Sequence, residues 1–344
     1  MVVLIASPLE AALAAKVGAL DVVGQLLYAP ELVARVRYPN DHAGDPAFAL
    51  DPAQQRRWDD LTARADVLFG YPHESSANLA RALEIGRNVR FVQGTSAGMG
   101  AHVKRAGLPA DTLERVRFAS AAGVHRGMLA EFAFYGLLAL RKDARRLSEI
   151  RAARGWQHYA MGELEGSTIG ILGTGQIGTA IAARARAFGM RVAGFSRSAA
   201  PREHFDEVFA TSALLAQTPR LDALAVTLPA TDATIGMVNA EVISALRPEA
   251  ILVNVGRGSV IDQSALTRAL RERRIAGAVL DVFAQEPLPP GDPLWELDNV
   301  VLSPHTAALS LHENARIIDL FCDNLCRFAN GERLHNQLNL TEFY

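Results

Sequence analysis

The amino-acid sequence predicts a two-domain α/β protein. In residues 1–121, short apolar runs alternate with segments of helical periodicity. From Ser167 onward, six further apolar runs alternate with short helical segments, which is typical of a doubly wound parallel sheet. The first of these six runs enters a glycine-rich turn at residues 173–178. A chain of 344 residues is long enough for two domains with sizeable cores.

The elements follow from this alternation. In the front part we expect strands at 2–6, 67–71, 90–93 and 117–119 and helices at 9–20, 54–63 and 79–85. One long helix is expected at 129–147, with arginines in its last turns. Beyond it we expect strands at 168–173, 190–195, 222–227, 251–255, 277–281 and 300–302, and helices at 176–188, 239–246, 262–273 and 313–329. Helical crossovers between the domains are expected around 120–127 and 306–313.

Composition narrows the class of protein. With 49% apolar residues, 21% charged residues and a net charge of −2, the chain fits an ordinary soluble protein and shows no attraction to nucleic acid or membranes. No apolar run reaches the ~18 residues of a membrane span. The apolar N-terminus is predicted to be a strand rather than a signal peptide. Cys322 and Cys326 are expected to be small core residues, and no histidine or cysteine pair has metal-ligand spacing. We therefore expect a cytoplasmic enzyme without a metal.

The glycine-rich turn indicates a dinucleotide site. Gly173 permits the tight turn, Gly175 lets a pyrophosphate approach the backbone, and Gly178 allows close packing of helix and strand. A G-x-G-x-x-G pattern alone is weak evidence, and a purely structural turn is the alternative. Here an apolar strand precedes it and a helical pattern follows, which is the context that the interpretation requires.

The end of the second strand bears on the choice of cofactor. An NAD site usually places Asp or Glu there, about 20 residues after the glycines, to bind the ribose 2′-hydroxyl. This chain has Ser196, Arg197 and Ser198 instead, and Arg197 could pair with a 2′-phosphate. NADP(H) is therefore favoured over NAD(H). The alternative is a solvated loop arginine with NAD bound nonetheless.

Three later strand ends carry the residues that hydride transfer to a 2-keto acid requires. Arg257 follows one strand and can hold a carboxylate bidentately. Glu286 follows the next strand, and His305 follows the last, where it can act as the acid that protonates the forming alkoxide. Taken singly, the arginine could be a surface residue and the histidine a structural one. Together, after a dinucleotide turn, they predict an oxidoreductase.

At these residues the chain resembles the D-isomer-specific 2-hydroxyacid dehydrogenase family. The segments in family order and spacing are 173–178, 228–234, 254–262, 281–287 and 303–308. The resemblance extends over almost the whole chain and is most specific at residues 166–310. Residues 196–198, and more loosely 331–333 and Tyr344, resemble the glyoxylate/hydroxypyruvate reductase branch.

The resemblance implies a domain organisation and an activity. Residues 1–121 and 311–344 would form a flavodoxin-like substrate domain, and 122–310 a Rossmann-type dinucleotide-binding domain, with the active site in the cleft between them. The activity would be hydride transfer between NAD(P)H and a small 2-keto or D-2-hydroxy acid, such as glyoxylate or hydroxypyruvate. A homodimer is expected, partly from the family and partly because the apolar helix at 129–147 exceeds what one domain face requires.

The resemblance also implies site residues. Arg257, Glu286 and His305 would be catalytic. The cofactor-binding residues would be Gly173, Gly175, Gln176, Ile177, Gly178, Ser196, Arg197, Ser198, Thr227, Val255, Gly256, Asp281, His305 and Ala307. Ala97, Gly98 and Met99 would hold the substrate together with Arg257. Gly100 departs from the family pattern, where Asp is usual, and residues 71–73 could line the same cleft or form an ordinary loop.

Two other functions remain open from the sequence. The first is a cofactor-sensing binding protein, since the family fold also serves as a corepressor. The second is formate dehydrogenase, which resembles this family but lacks a glutamate at the position of Glu286. The sequence does not specify the physiological acid.

Overall fold

The structure is a computed structural model that describes residues 1–343. Tyr344, which carries part of the resemblance to the reductase branch, lies outside the described residues. The chain divides into two compact units, Met1–Val124 with Leu309–Tyr344 and His125–Ala308. The sequence places these divisions two to three residues away, at 121/122 and 310/311. The first division falls later because the chain continues as turns as far as His125, the residue before a helix.

The first unit is built on a five-stranded parallel sheet. Its strands are β1 (Val2–Ile5), β2 (Gln25–Leu27), β3 (Val67–Phe69), β4 (Phe91–Gln93) and β5 (Arg117–Ala119). Its helices before the second unit are α1 (Ala11–Gly18), α2 (Pro52–Arg64), α3 (Ser76–Ile85), α4 (Met99–Ala106) and α5 (Ala110–Arg115). The strand order β2-β1-β3-β4-β5 is the flavodoxin-like order.

The second unit contains a seven-stranded parallel sheet. Its helices are α6 (Arg126–Arg141), α7 (Ala144–Ala152), α8 (Gln176–Ala187), α9 (Leu214–Gln217), α10 (Ala240–Ala245) and α11 (Gln263–Arg271). Its strands are β6 (Thr168–Leu172), β7 (Arg191–Ser196), β8 (Glu207–Ala210), β9 (Ala223–Val226), β10 (Ile251–Asn254), β11 (Gly277–Leu280) and β12 (Val300–Leu302). The strands lie in the order β12-β11-β10-β9-β6-β7-β8. From β6, the next strands along the chain are added on one side as far as β8, and β9 to β12 are added on the other side, so the strand order reverses between β6 and β9, as in a Rossmann fold.

Helices cover both faces of each sheet. In the first unit, α12 (Glu313–Ala329) returns to the sheet and places Phe321 against Phe69, with ring centroids 5.0 Å apart. In the second unit, α6 packs closely on the sheet, since a Cβ on Gly136 would lie 2.3 Å from a Val279 methyl group. Central strands buried on both faces explain why the sequence shows continuous apolar runs there. The predicted fold class is thereby confirmed.

Several element predictions are wrong. The segment expected as one helix at 129–147 is two helices, because Asp143 adopts a left-handed conformation (φ 53°) and caps α7 through the Arg146 N–H. The two crossovers are turns rather than helices. The edge strands β2 and β8 and the short helices α4 and α5 are missing from the sequence expectations. These elements are short or partly exposed, so their patterns are weak.

Candidate active site

The glycine-rich turn lies where the strand order of the second unit reverses. Gly173 follows β6 with φ +107°, a conformation that favours glycine. A Cβ on Gly178 would lie 1.9 Å from the Gly173 carbonyl oxygen, so this glycine allows α8 to pack against the turn. A Cβ on Gly175 would meet nothing within 4 Å. The space beside Gly175 is therefore open, directly at the N-terminus of α8.

This cradle fits a dinucleotide. Gly175 is the N-cap of α8, and Gln176 and Ile177 are the first residues of that helix. Backbone N–H groups in the first turn of an α-helix lie at its positive dipole end, which suits a pyrophosphate. Thr227 follows β9, the neighbouring strand, and its hydroxyl donates to the Gly173 carbonyl over 2.9 Å. This hydrogen bond joins the ends of β6 and β9 at the point where the strand order reverses.

The end of β7 presents hydroxyl and guanidinium groups. Ser196 is its last residue, and its hydroxyl oxygen is buried with no hydrogen-bond partner among the described residues. Arg197 and Ser198 follow it and are exposed. An unsatisfied buried hydroxyl beside an exposed guanidinium is suited to a phosphate or a ribose oxygen.

Arg257 lies in a tight turn after β10. Gly256 and Gly258 flank it, and a Cβ on Gly258 would lie 1.9 Å from the Phe283 carbonyl carbon. Glycine is therefore required for the turn to approach the segment after β11. The Asn254 side chain donates to the Arg257 carbonyl oxygen and accepts from the Gly256 N–H, both over 3.1 Å. These contacts fix the backbone from which the guanidinium extends.

His305 lies in the turn after β12 and has a left-handed backbone (φ 55°). Its N–H donates to the Asp281 carbonyl oxygen over 3.0 Å. The buried Asp281 carboxylate accepts from the Ser303 hydroxyl over 2.7 Å and from the Thr306 and Ala307 N–H groups over 3.0 Å each. The whole turn is thus organised around Asp281.

Glu286 and His305 form a pair. The distance from His305 Nδ1 to Glu286 Oε2 is 2.7 Å, and the other carboxylate oxygen accepts from the Phe283 N–H over 3.0 Å. An ionised carboxylate only accepts hydrogen bonds, so Nδ1 carries the proton and Nε2 is left for another partner. The side chains are 45% and 35% exposed, so the pair is accessible to a ligand.

The structure thus brings most predicted residues of the second unit to the carboxyl ends of its strands. Val255 and Gly256 directly follow β10, and Asp281 directly follows β11. Ala307 lies in the His305 turn, bonded to Asp281. Sequence reasoning missed Asn254 and Ser303, which touch the turns of Arg257 and His305. Their signal is only positional, a polar residue at the end of a buried strand, and their partners are visible only in the structure.

The predicted substrate loop lies in the first unit. Gly98 is the N-cap of α4 and Met99 begins it, so the backbone N–H groups of Ala97, Gly98 and Met99 lie at a helix N-terminus. The Met99 side chain is buried, so this residue offers only its backbone. Gly100, where the family has Asp, is buried inside the same helix. The predicted substrate loop therefore continues directly into α4.

Residues 71–75 lie beside this loop. The Glu74 carboxylate accepts a short hydrogen bond from Thr95, just before Ala97. His73 and Glu74 have left-handed backbones, with φ of 54° and 46°. Tyr71 packs against His102 with ring centroids 5.9 Å apart, and burial lowers the pKa of His102. This segment supports the loop through Thr95.

Two kinds of feature are absent from residues 1–343. There, no three His, Cys, Asp or Glu side chains lie together as metal ligands. Likewise, no helix within that range is both long and apolar enough to span a membrane.

Part of the chain matches a known protein family. Residues 134–307, slightly more than half of the chain, match the family described as D-isomer specific 2-hydroxyacid dehydrogenase, NAD binding domain. The chain is 39% identical over 231 residues to a glyoxylate reductase of Korarchaeum cryptofilum, covering 63% of this chain and 67% of that protein.

Solved structures agree with the sequence relatives. A D-isomer specific 2-hydroxyacid dehydrogenase family protein from Aeromonas salmonicida has a TM-score of 0.79 and 29% identity, covering 98% of this chain and 99% of that one. A D-isomer specific 2-hydroxyacid dehydrogenase from Xanthobacter autotrophicus, in complex with NADPH and MES, has a TM-score of 0.76 and 26% identity, covering 100% and 99%.

Proposed function

The chain belongs to the D-isomer specific 2-hydroxyacid dehydrogenase family, and we propose that it is an NADP(H)-preferring reductase of small 2-keto acids such as glyoxylate and hydroxypyruvate. As a member of this family it is an oxidoreductase that transfers hydride between NAD(P)H and a 2-keto or 2-hydroxy acid. The observation that carries the catalytic proposal is the 2.7 Å pair of His305 Nδ1 and Glu286, at the end of the sheet that holds the glycine-rich cradle.

In this proposal three side chains carry out the reaction. The Arg257 guanidinium binds the substrate carboxylate, for which its planar donors are suited. His305 donates a proton from Nε2 to the carbonyl oxygen as the alkoxide forms. The Glu286 carboxylate holds Nδ1–H and so orients the imidazole ring. The reduced nicotinamide supplies the hydride when it is bound. In the reverse direction, neutral His305 accepts the hydroxyl proton at Nε2.

We assign the cofactor to the cradle of the second unit. Its pyrophosphate would meet the backbone of Gly173, Gly175, Gln176, Ile177 and Gly178, with Thr227, Val255, Gly256, Asp281, His305 and Ala307 along the ribose and nicotinamide. The preference for NADP(H) rests on Arg197, with Ser196 and Ser198 as supporting donors to a 2′-phosphate. A relative of 26% identity was solved with NADPH, which supports this preference.

The substrate loop is assigned to the first unit. The backbone N–H groups of Ala97, Gly98 and Met99 would donate to the substrate carboxylate. The N-terminus of α4 has no side-chain cap, which supports this role, since helix N-termini favour anions. On this basis the first unit is the substrate domain and the second the dinucleotide-binding domain.

We further propose a homodimer in the cytoplasm. Residues 126–164 of the second unit present several large apolar side chains to solvent, a feature of association surfaces. The exposed fractions are 63% for Tyr135, 43% for Leu147, 91% for Trp156 and 42% for Met161. The free cysteines Cys322 and Cys326 suit a reducing compartment. Sedimentation equilibrium tests the assembly, and a monomer at micromolar concentration would contradict it.

The test of function is a screen of 2-keto acids with NADPH and with NADH, in wild type and His305→Ala. We expect glyoxylate or hydroxypyruvate to be reduced, with NADPH preferred. His305→Ala should lower kcat by about 10²–10⁴-fold while NADPH affinity stays within about twofold, because a positioned acid is removed. A wild-type protein that binds NADPH but reduces none of the acids would point to a cofactor sensor. Near-normal turnover in His305→Ala would remove His305 from the mechanism.

A further inference from the structure

We propose that Asn254 and Ser303 are positioning residues that act through one buried polar network with Asp281 to orient Arg257 and His305. This inference rests on the catalytic roles proposed above for Arg257 and His305. Asn254 and Ser303 are 1% and 5% exposed, so neither can touch the substrate. Any effect they have on turnover must pass through the residues that they hold.

The His305 turn needs such support because its backbone is strained. A left-handed φ of 55° is unfavourable for a residue with a Cβ, and such conformations persist where surrounding contacts impose them. Here the Ser303 hydroxyl donates to Asp281 over 2.7 Å and also lies 3.4 Å from the Thr306 N–H, on the other side of His305. Ser303 and Asp281 thus fix both ends of the turn that carries the imidazole.

Asn254 does the same for Arg257. Its side-chain amide makes two hydrogen bonds within the turn. Nδ2 donates to the Arg257 carbonyl oxygen, and Oδ1 accepts from the Gly256 N–H. Replacing this side chain leaves the buried Gly256 N–H without its partner and removes one of the two hydrogen bonds that the Arg257 carbonyl oxygen accepts, the other coming from the Val260 N–H over 3.2 Å. The turn can then shift, and the guanidinium shifts with it.

The two clamps are joined through the backbone of Asp281. Its N–H donates to the Asn254 carbonyl oxygen over 3.1 Å, and its carbonyl accepts from the His305 N–H over 3.0 Å. Asn254 is the last residue of β10 and Asp281 the first after β11, so neighbouring strand ends carry both clamps. Hydride transfer is sensitive to such placement, since a 1 Å error in reacting geometry can lower the rate by about 10²-fold.

The first test is Ser303→Ala with Thr218→Val as its control. Thr218 is also fully buried in the second unit, and its hydroxyl donates to the Leu214 carbonyl over 2.8 Å. Both variants lose one buried hydroxyl. We expect Ser303→Ala to lower kcat about tenfold and to raise the primary isotope effect with deuterated NADPH, because the chemical step becomes slower. NADPH affinity should change less than about twofold, and Thr218→Val should leave kcat and the isotope effect unchanged.

The second test is Asn254→Ala with Asn299→Ala as its control. Asn299 is 4% exposed in the same unit and donates to the Leu270 carbonyl over 3.2 Å. We expect Asn254→Ala to raise KM for the keto acid about tenfold, because Arg257 is displaced. Asn299→Ala should destabilise the protein without this change in KM. We thus expect Ser303→Ala to change kcat and Asn254→Ala to change KM. A purely structural role of the two residues would not give this difference.

Specific outcomes overturn the inference. Turnover and isotope effect of Ser303→Ala within about twofold of wild type would refute the clamp on His305, and an unchanged KM in Asn254→Ala would refute the clamp on Arg257. If a control variant lost as much activity as its partner, the effect would be general destabilisation. If one of the two positioning variants fails to fold, the other variant still tests the clamp to which its residue belongs. A His305→Ala variant that keeps turnover would instead refute the proposed function itself.

Discussion

The glycines of the dinucleotide turn allow a pair of substitutions with opposite expected effects. In Gly178→Ala the new Cβ would lie 1.9 Å from the Gly173 carbonyl oxygen, whereas ordinary contacts begin at 3.4 Å. The neighbour is backbone and cannot move aside without shifting the strand end. Overpacking of this kind costs about 1–3 kcal/mol, and we expect the upper end of that range. For a unit of this size, 3 kcal/mol corresponds to a fall in Tm of about 6–12 °C.

Gly175→Ala should leave stability nearly unchanged. Its Cβ meets no atom within 4 Å, and its φ of −76° and ψ of −163° are accessible to alanine. Alanine is a poorer N-cap than glycine, but it also reduces the entropy of the unfolded chain, and the two effects offset each other to within about 1 kcal/mol. In contrast, the methyl group occupies the space assigned to the pyrophosphate. We therefore expect the Kd for NADPH to rise at least about tenfold, a loss of about 1.4 kcal/mol.

Calorimetry of the cofactor-free variants and fluorescence titration with NADPH separate the two effects. The increase in Tm at saturating NADPH gives an independent estimate of affinity. If Gly175→Ala binds NADPH within twofold of wild type, the pyrophosphate does not lie at Gly175. If Gly178→Ala keeps the wild-type Tm, the helix can relax and the close approach is not required for stability.

Three other predictions concern charged groups. Arg197→Ala should weaken NADPH about tenfold or more and leave NADH nearly unchanged, because one charge-assisted bond to the 2′-phosphate is lost; equal losses in both titrations would make Arg197 structural. Glu286→Gln should lower kcat for reduction about tenfold or more, because the charge-assisted hydrogen bond that holds His305 Nδ1 is weakened; turnover within twofold of wild type would exclude this role. Hydrogen bonds from Arg37 lower the pKa of the buried Asp41, so its stabilisation is present above the ordinary carboxyl range and lost as pH falls through the lowered pKa. Asp41→Asn should thus lower Tm at pH 7, and this deficit should shrink as the pH falls below the ordinary carboxyl range; a deficit that stays constant with pH would contradict this linkage.

The elements predictable from sequence are those buried on both faces of a sheet. The central strands β10 and β11 were expected within a residue of their observed bounds, because every residue in them is buried and their apolar runs are therefore continuous. β8 was missed because an edge strand is half exposed and has no such pattern. The helix break at Asp143 was missed because a left-handed residue other than glycine leaves no reliable sequence signal.

The same limit applies to the site. Arg257, Glu286 and His305 follow recognisable strands, so their residue types and positions suggest chemistry. Asn254 and Ser303 contribute through contacts to backbone atoms of their own turns, and through Asp281, more than 20 residues distant from either. Such contacts depend on the register of neighbouring strands. They become visible only once the sheet is assembled.

The exposed indole of Trp156 provides an optical probe of association. The other two tryptophans differ from it, since Trp58 is 5% exposed in the first unit and Trp295 is 49% exposed. Trp156, at 91%, should emit at long wavelength and be readily quenched by iodide when its surroundings are aqueous. Burial of this ring against a second copy would shift its emission to the blue and protect it from the quencher. Dilution of the unlabelled protein would therefore report the proposed monomer–dimer equilibrium through its own fluorescence, with Trp156→Phe as the blank.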